Sequence, residues 1–259
     1  MPRYARRNNS NQASIDRYHL FAEGAFKNVY EGKYTTGKRA GERCVSKEFK
    51  SGCVYEKSYF DNELKVVYKT LDLVNLYNKE RIVNRPIWLN MPAVWTYSEE
   101  SDRAGQKSLI EPMILNFEKF NSNTGWTPDN QTAWVKVMQS LSHFSYHISS
   151  GEVLCCDLQG GIYRDGFIIT DPVIMSRSSN YGPSDLGPKG ISTFFAHHYC
   201  NEYCNSAWIT PRDTGSYFTV QKGSAMKLPT RYSRPALSRY APAPVIEEEE
   251  DYWEDSDEY

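Results

Sequence analysis

The chain has 259 residues with 30 basic and 32 acidic side chains, a formal net charge of −2. No apolar run approaches the roughly 18 to 20 residues that span a bilayer, and the start, MPRYARRNNSNQ, lacks the apolar stretch of a secretory signal. A cytoplasmic or nuclear setting without membrane insertion is therefore expected. The near-neutral sum hides an asymmetry. Glu247–Tyr259 carries nine carboxylates and no base, Arg212–Val245 six bases against Asp213, and the first 18 residues four bases against Asp16. These shifts mark expected boundaries: a disordered basic arm over 1–18, a folded body over 19–211, a basic Pro/Ser/Tyr-containing linker over 212–245 and an acidic disordered tail over 246–259. A body of roughly 190 residues can bury one core without disulfides. Cysteines 44, 53, 155, 156, 200 and 204 then read as thiols or metal ligands.

From Phe21 to Phe49 the pattern predicts two or three strands separated by Gly-containing turns, the last of them Cys44–Phe49. Phe60, Leu64, Val67, Leu71, Val74 and Tyr77 recur at helical spacing and predict a helix over Tyr59–Asn78. Residues 84–98 and 108–117 read as strands, and Gln131–His147 as a second amphipathic helix. A hairpin-like pair is expected at Glu152–Leu158 and Gly166–Asp171, then a Gly/Pro/Ser loop over 177–190 and a helix from Ile191 to about Cys204. Strands, helix, strands, helices is an α+β order.

Three constellations carry chemistry. His198, Cys200 and Cys204 offer three zinc ligands if they converge around an irregular helix turn, and tetrahedral zinc needs a fourth. His143 and His147 are the candidates; the alternative is core cysteines and surface histidines. Asp157-Leu158-Gln159-Gly160 and Thr170-Asp171-Pro172 put two carboxylates and an amide at successive strand ends, which suits Mg²⁺ beside phosphates or, more plainly, capped turns. Lys47, on a strand behind the Gly24 turn, is either a fixed cation for phosphates or a solvated strand lysine.

Taken in order, FAEGAFKNVYEG (21–32), CVSKEF (44–49), IEPMILNFEKFNSNTG (110–125), LSHFSYHISSGEVLCCDLQG (141–160), IITDP (168–172), GPSDLGPKGI (182–191) and FFAHHYCNEYC (194–204) resemble the alpha-kinase family. The resemblance covers roughly residues 19–210. It implies a two-lobed kinase-like fold with a zinc-stabilised C-terminal lobe, ATP between the lobes, and phosphate transfer to Ser/Thr hydroxyls of a protein substrate. Asp157 matches the catalytic aspartate, Gln159 and Asp171 the Mg²⁺ ligands, and His143, His198, Cys200 and Cys204 the structural Zn²⁺ ligands. Lys47 matches the phosphate-binding lysine, with Glu63 its expected partner and Asp61 nearly as good. Gly24, Lys27, Glu111 and Met113 fall where the family meets the nucleotide. Lys27 replaces the usual Arg, Ser46 the usual Ala, and Asp185 the usual Asn of the Gly loop; Asp185 adds a negative charge to a loop expected to approach substrate, so a shift in substrate preference or activity is expected.

The alternative to an active kinase is a pseudokinase that serves as a scaffold. Nucleic-acid binding through the bases of 212–239 has little support. The acidic tail is expected to fold back on the linker or substrate groove and restrain basic substrates.

Overall fold

The computed structural model describes residues 4–223 and the backbone of residues 245–248. In chain order the elements are β1 (Ala5–Arg6), β2 (Gln12–Glu23), β3 (Lys27–Tyr34), β4 (Arg43–Phe49), a 3₁₀ turn at Lys57–Phe60 leading into α1 (Asp61–Lys79), β5 (Ile87–Asn90), β6 (Ala93–Tyr97), β7 (Lys107–Pro112) and β8 (Phe117–Lys119). There follow α2 (Ala133–Ile148), β9 (Val153–Cys156), β10 (Gln159–Tyr163), β11 (Gly166–Thr170), β12 (Val173–Ser176), α3 (Gly187–His197) and β13 (Val245–Glu248). The elements divide into two compact units. Among the described residues, one is a barrel unit of residues 8–57, 92–113 and 245–248; the other, which holds the helices, is residues 4–7, 58–91 and 114–223. The α+β class is as expected.

In the helix-bearing unit, Leu64, Val67, Leu71, Val74 and Tyr77 form the buried stripe of α1. Asp61 and Glu63 in its first turn and Lys79 in its last complement the helix dipole. The Thr132 hydroxyl caps α2 by accepting the Val135 N–H. The two helices meet where the Tyr77 ring stands edge-on to Phe144, with centroids 5.4 Å apart. They pack on a sheet ordered β1-β5-β11-β10-β8 and a separate two-stranded sheet, β12-β9. The hairpin expected between 152–158 and 166–171 is thus differently paired: β9 bonds β12 and β10 bonds β11. Gly160 makes the β10 pairing possible, because a Cβ there would lie 1.9 Å from the Ile168 carbonyl oxygen. The third helix begins four residues before its expected start and ends at His197. Pro188 favours the early start, and His198 is already extended.

The barrel unit closes in the order β13-β2-β3-β4-β7-β6. Ile15, Tyr34, Cys44, Trp95, Tyr97 and Ile110 fill its interior. Two expected disordered stretches are corrected here. Residues 5–6 add a parallel strand to β5 in the other unit, and β2 begins at Gln12. The averaged polarity of 1–18 conceals Ala13 and Ile15, which alternate into the barrel. The polar residues before them are bonded: the Asn8 amide donates to the Ile110 carbonyl at 3.1 Å and accepts from the Tyr34 hydroxyl. At the other end of the chain, Ile246–Glu248, placed in the acidic tail, pair with β2 and β6 through their backbone. The rest of the linker and tail calls, 224–244 and 249–259, lies outside the described residues.

Arg17 and Glu48 form a largely buried charged pair in this unit. Arg17 meets Glu48 at 2.8 Å, and the same carboxylate accepts from the Tyr97 hydroxyl at 2.7 Å and from the Gln106 amide at 3.2 Å. Burial raises the Glu48 pKa, while these partners favour its charged form. Removing one member of a buried pair leaves the other uncompensated, whereas apolar replacement of both is often nearly neutral. Glu48→Ala should therefore cost about 3 to 5 kcal/mol in urea unfolding. The double change Arg17→Met with Glu48→Leu should recover most of that loss, and equal losses in both variants would contradict the burial argument.

Candidate active site and metal-ligand cluster

β9 and β10 are consecutive in sequence yet belong to different sheets, as are β11 and β12. The chain changes sheet twice, at Asp157-Leu158 and at Asp171-Pro172. Both aspartates adopt the left-handed conformation, with φ of 57° and 47°, which Asp tolerates better than most residues. The register sets the two switches opposite each other, since Cys156 pairs with Val173 and Gln159 with Thr170. The Asn121 side chain holds this crossing by accepting the Leu158 N–H at 2.8 Å and donating to the Ser142 hydroxyl at 3.0 Å.

The crossing brings Asp157, Gln159 and Asp171 together. Gln159 Nε2 donates to Asp157 Oδ2 at 3.2 Å and lies 3.5 Å from the Asp171 carbonyl. Its Oε1 is buried and unpartnered. Asp157 Oδ1 lies 2.7 Å from Lys119 Nζ, and the lysine side chain is 1% exposed. Burial pushes the Asp157 pKa up to about 6, with the Lys119 charge pulling it down and Asp171 adding a smaller upward effect. Sequence reading missed Lys119. The available signal was its place at the buried beat of β8, two residues after Phe117.

In the barrel unit, Lys47 is buried rather than solvated. Its Nζ lies 2.7 Å from Glu111 Oε1, and both side chains are 3% exposed. Glu111 therefore engages the lysine directly. Glu63, the expected partner, opens α1 in the other unit. Met113 is buried at the end of β7, and its N–H donates to the Arg43 carbonyl. The Gly24 N–H closes a turn onto the Lys27 carbonyl at 2.9 Å, and the Lys27 ammonium sits 5.1 Å above the Phe49 ring.

His143, His198, Cys200 and Cys204 converge so that one ligand atom of each lies within 4.8 Å of the others. His198, Cys200 and Cys204 follow α3 instead of riding on a helix as expected. Cys200 Sγ is 3.6 Å from His143 Nδ1 and 3.8 Å from His198 Nε2; Cys204 Sγ is 3.9 Å from His198 Nε2. Bonds of about 2.3 Å to sulfur and 2.0 Å to nitrogen at tetrahedral angles give edges of roughly 3.3 to 3.8 Å, so the donor set fits zinc. The His143 Nε2 meets the Ile209 carbonyl at 3.1 Å, leaving Nδ1 toward the thiols. His147 instead accepts from the Ile209 N–H and stacks on Trp208. Burial lowers the pKa of His198 to about 4 and raises that of Cys204 to about 11; a bound divalent cation would reverse the balance at the thiol.

The alpha-kinase family model matches residues 22–204. The chain belongs to the alpha-kinase family. It is 36% identical over 95 residues to alpha-protein kinase vwkA of Dictyostelium discoideum, covering 36% of this chain and 15% of that protein. It is 34% identical over 118 residues to eukaryotic elongation factor 2 kinase of Mus musculus, covering 44% of this chain and 16% of that protein. The chain thus matches about one-sixth of these relatives' lengths. Its fold is similar to the alpha-kinase domain of myosin heavy chain kinase A solved in complex with AMP, with a TM-score of 0.62, 24% identity, and coverage of 74% of this chain and 88% of that one.

Against the expected family pattern, the Asp185 carboxylate is turned inward. It accepts from the Ser176 N–H and hydroxyl at 2.9 and 2.7 Å and from the N–H groups of Tyr181 and Gly187 at 3.2 and 2.9 Å. Two hydrogen-bonded ends of the 177–186 loop and the start of α3 are gathered on one side chain, so its charge is spent on loop geometry. Among the described residues, no helix is long and apolar enough to cross a membrane.

Proposed function

We propose that this alpha-kinase domain transfers the γ-phosphate of ATP to serine or threonine hydroxyls of a protein substrate, with Mg²⁺ as its working ion. The observation that carries the reading is the crossing, where a partly buried carboxylate, an unpartnered buried amide oxygen and a second carboxylate converge beside a buried lysine. Asp157 would orient the acceptor hydroxyl and take its proton as the oxygen bonds the phosphorus and ADP departs. Lys119 would hold Asp157 in place and offset its charge. Gln159 Oε1 and Asp171 would hold Mg²⁺, which offsets charge on the phosphate oxygens. Lys47, fixed by Glu111, would serve as the cation for the phosphates, with Gly24, Lys27, Glu63 and Met113 contributing to the nucleotide site.

Transfer of labelled phosphate from ATP to a basic protein tests this reading. Asp157→Ala should lower the rate about 10²- to 10⁴-fold, and Asp171→Ala or removal of Mg²⁺ should abolish the metal-dependent rate. Transfer that survives in the Asp171 variant would overturn the metal assignment. Absence of transfer by the unaltered chain under every condition would favour the scaffold reading.

We also propose that His143, His198, Cys200 and Cys204 hold a structural zinc that ties α2 to the chain beyond α3. Structural zinc sites contribute on the order of 10 kcal/mol apparent at neutral pH. The purified protein should carry one zinc per chain by elemental analysis, and Cys204→Ser should lose both the metal and much of the thermal stability. A Cys204→Ser protein that remains metal-loaded and equally stable would rule the site out.

A further inference from the structure

Beyond the cluster of cysteines and histidines, the chain runs back across the helix-bearing unit as an extended strap, Gly215–Gly223, with no helix or strand of its own. Its attachment is largely by backbone, with the Ser216 hydroxyl 3.1 Å from His197 Nε2 and the Lys189 ammonium 5.7 Å from the centre of the Tyr217 ring besides. The Ser192 hydroxyl on α3 accepts the Gly215 N–H at 2.8 Å and donates to the Gly215 carbonyl at 3.2 Å. The next hydroxyl on α3, Thr193, accepts the Tyr217 N–H at 2.9 Å. Further along, Thr124 repeats the reciprocal pattern on Gln221, accepting its N–H at 3.1 Å and donating to its carbonyl at 3.0 Å.

The strap then reaches the crossing. Lys222 Nζ sits 5.2 Å from the centre of the Trp126 ring. A Cβ on Gly223 would lie 3.7 Å from Lys119 Nζ, whose partner is the Asp157 carboxylate. The strap buries little apolar surface: Tyr217 is 60% exposed and Val220 37%. Hydroxyl-to-backbone contacts of this kind contribute only about 0.5 to 1.5 kcal/mol each, and any extended peptide can make them whatever its side chains. A segment held this way is a displaceable occupant of its track.

We propose that this track is the docking surface for the acceptor peptide, that residues 215–223 occupy it in cis, and that Trp126 favours a basic residue immediately before the substrate position that meets Lys119. The partner is an extended, basic protein segment, recognised by its backbone at Thr124 and by a cation over the Trp126 face. This inference rests on the kinase reading for its direction but makes a binding claim of its own. A substrate must displace the strap, so weakening the strap strengthens substrate binding without touching the catalytic groups.

The test uses the full chain with Gln221→Pro, which removes the N–H that Thr124 accepts, and Lys222→Glu, which removes the cation over Trp126. The probe is a fluorescein-labelled peptide of residues 213–226, followed by anisotropy, with thermal melting as a check on folding. The double variant should bind the peptide about 30-fold more tightly than the unaltered chain, as expected for two lost contacts of roughly 1 kcal/mol each. Its KM for a basic protein substrate should fall by a similar factor with kcat within about twofold. A peptide with Glu in place of Lys222 should bind several-fold more weakly, and Trp126→Ala should erase that difference. Equal peptide affinity in the variant and the unaltered chain overturns the proposal, as does inhibition by the peptide that is not competitive with protein substrate. Tight peptide binding by a chain that transfers no phosphate would uphold the track and overturn the kinase reading.

Discussion

The candidate site depends on a backbone constraint: two strands that leave one sheet for another at the same place. β9 and β12 pair up to Cys156 and Val173, β10 and β11 pair from Gln159 and Thr170, and the intervening turns are made by left-handed aspartates. Each left-handed non-glycine residue costs on the order of 1 to 3 kcal/mol. Asn121 bridging Leu158 to Ser142, together with the all-buried β9, offsets that cost. The same geometry lifts Asp157 and Asp171 out of the strand ladders, where a carboxylate would face the core or solvent singly, and puts them opposite each other.

Buried charge in both units follows one rule. Lys119 with Asp157, Lys47 with Glu111 and Arg17 with Glu48 each join a cation and a carboxylate within 2.8 Å. A lone charge in any of these places would be strongly destabilising, so the pairs are mutually required. They differ in what else surrounds them. Glu48 is saturated by Tyr97 and Gln106 as well as Arg17, which suits a structural role. Asp157 neighbours a second carboxylate and an amide oxygen with no partner, an excess of acceptors that a cation can satisfy. That excess distinguishes a site from a structural pair.

Much of the fold is legible in the sequence where periodicity decides it. The stripe from Leu64 to Tyr77 and the run from Val135 to Phe144 can be buried only as helices, and the Cys44–Phe49 strand follows from its neighbours. The sheet crossing is not legible, because residues 153–171 alternate as strands whichever partner they choose; the choice lies in the turn at Asp157, and an aspartate there does not announce a positive φ. Averaged polarity hid Ala13 and Ile15 in the same way that averaged charge hid the terminal asymmetry. The cluster of His143, His198, Cys200 and Cys204 is legible only from motif order, since neither the end of α3 nor the return of the chain to His143 follows from spacing. Asp185 shows the opposite limit: a charge that sequence assigns to an exposed loop is consumed by four donors, from the end of β12, the loop itself and the start of α3.

What sets this domain's chemistry, then, is whether the excess acceptors at the crossing bind a divalent ion together with nucleotide. The most direct measurement is the binding of Mn²⁺ in the presence of ATP, followed by electron paramagnetic resonance, in the unaltered chain, in Asp171→Asn and in Gln159→Leu. Loss of a ligand should weaken ion binding at least about tenfold in each variant, with ATP affinity in the absence of metal unchanged. Equal Mn²⁺ affinity in all three proteins would contradict the assignment of the crossing as the metal-nucleotide site.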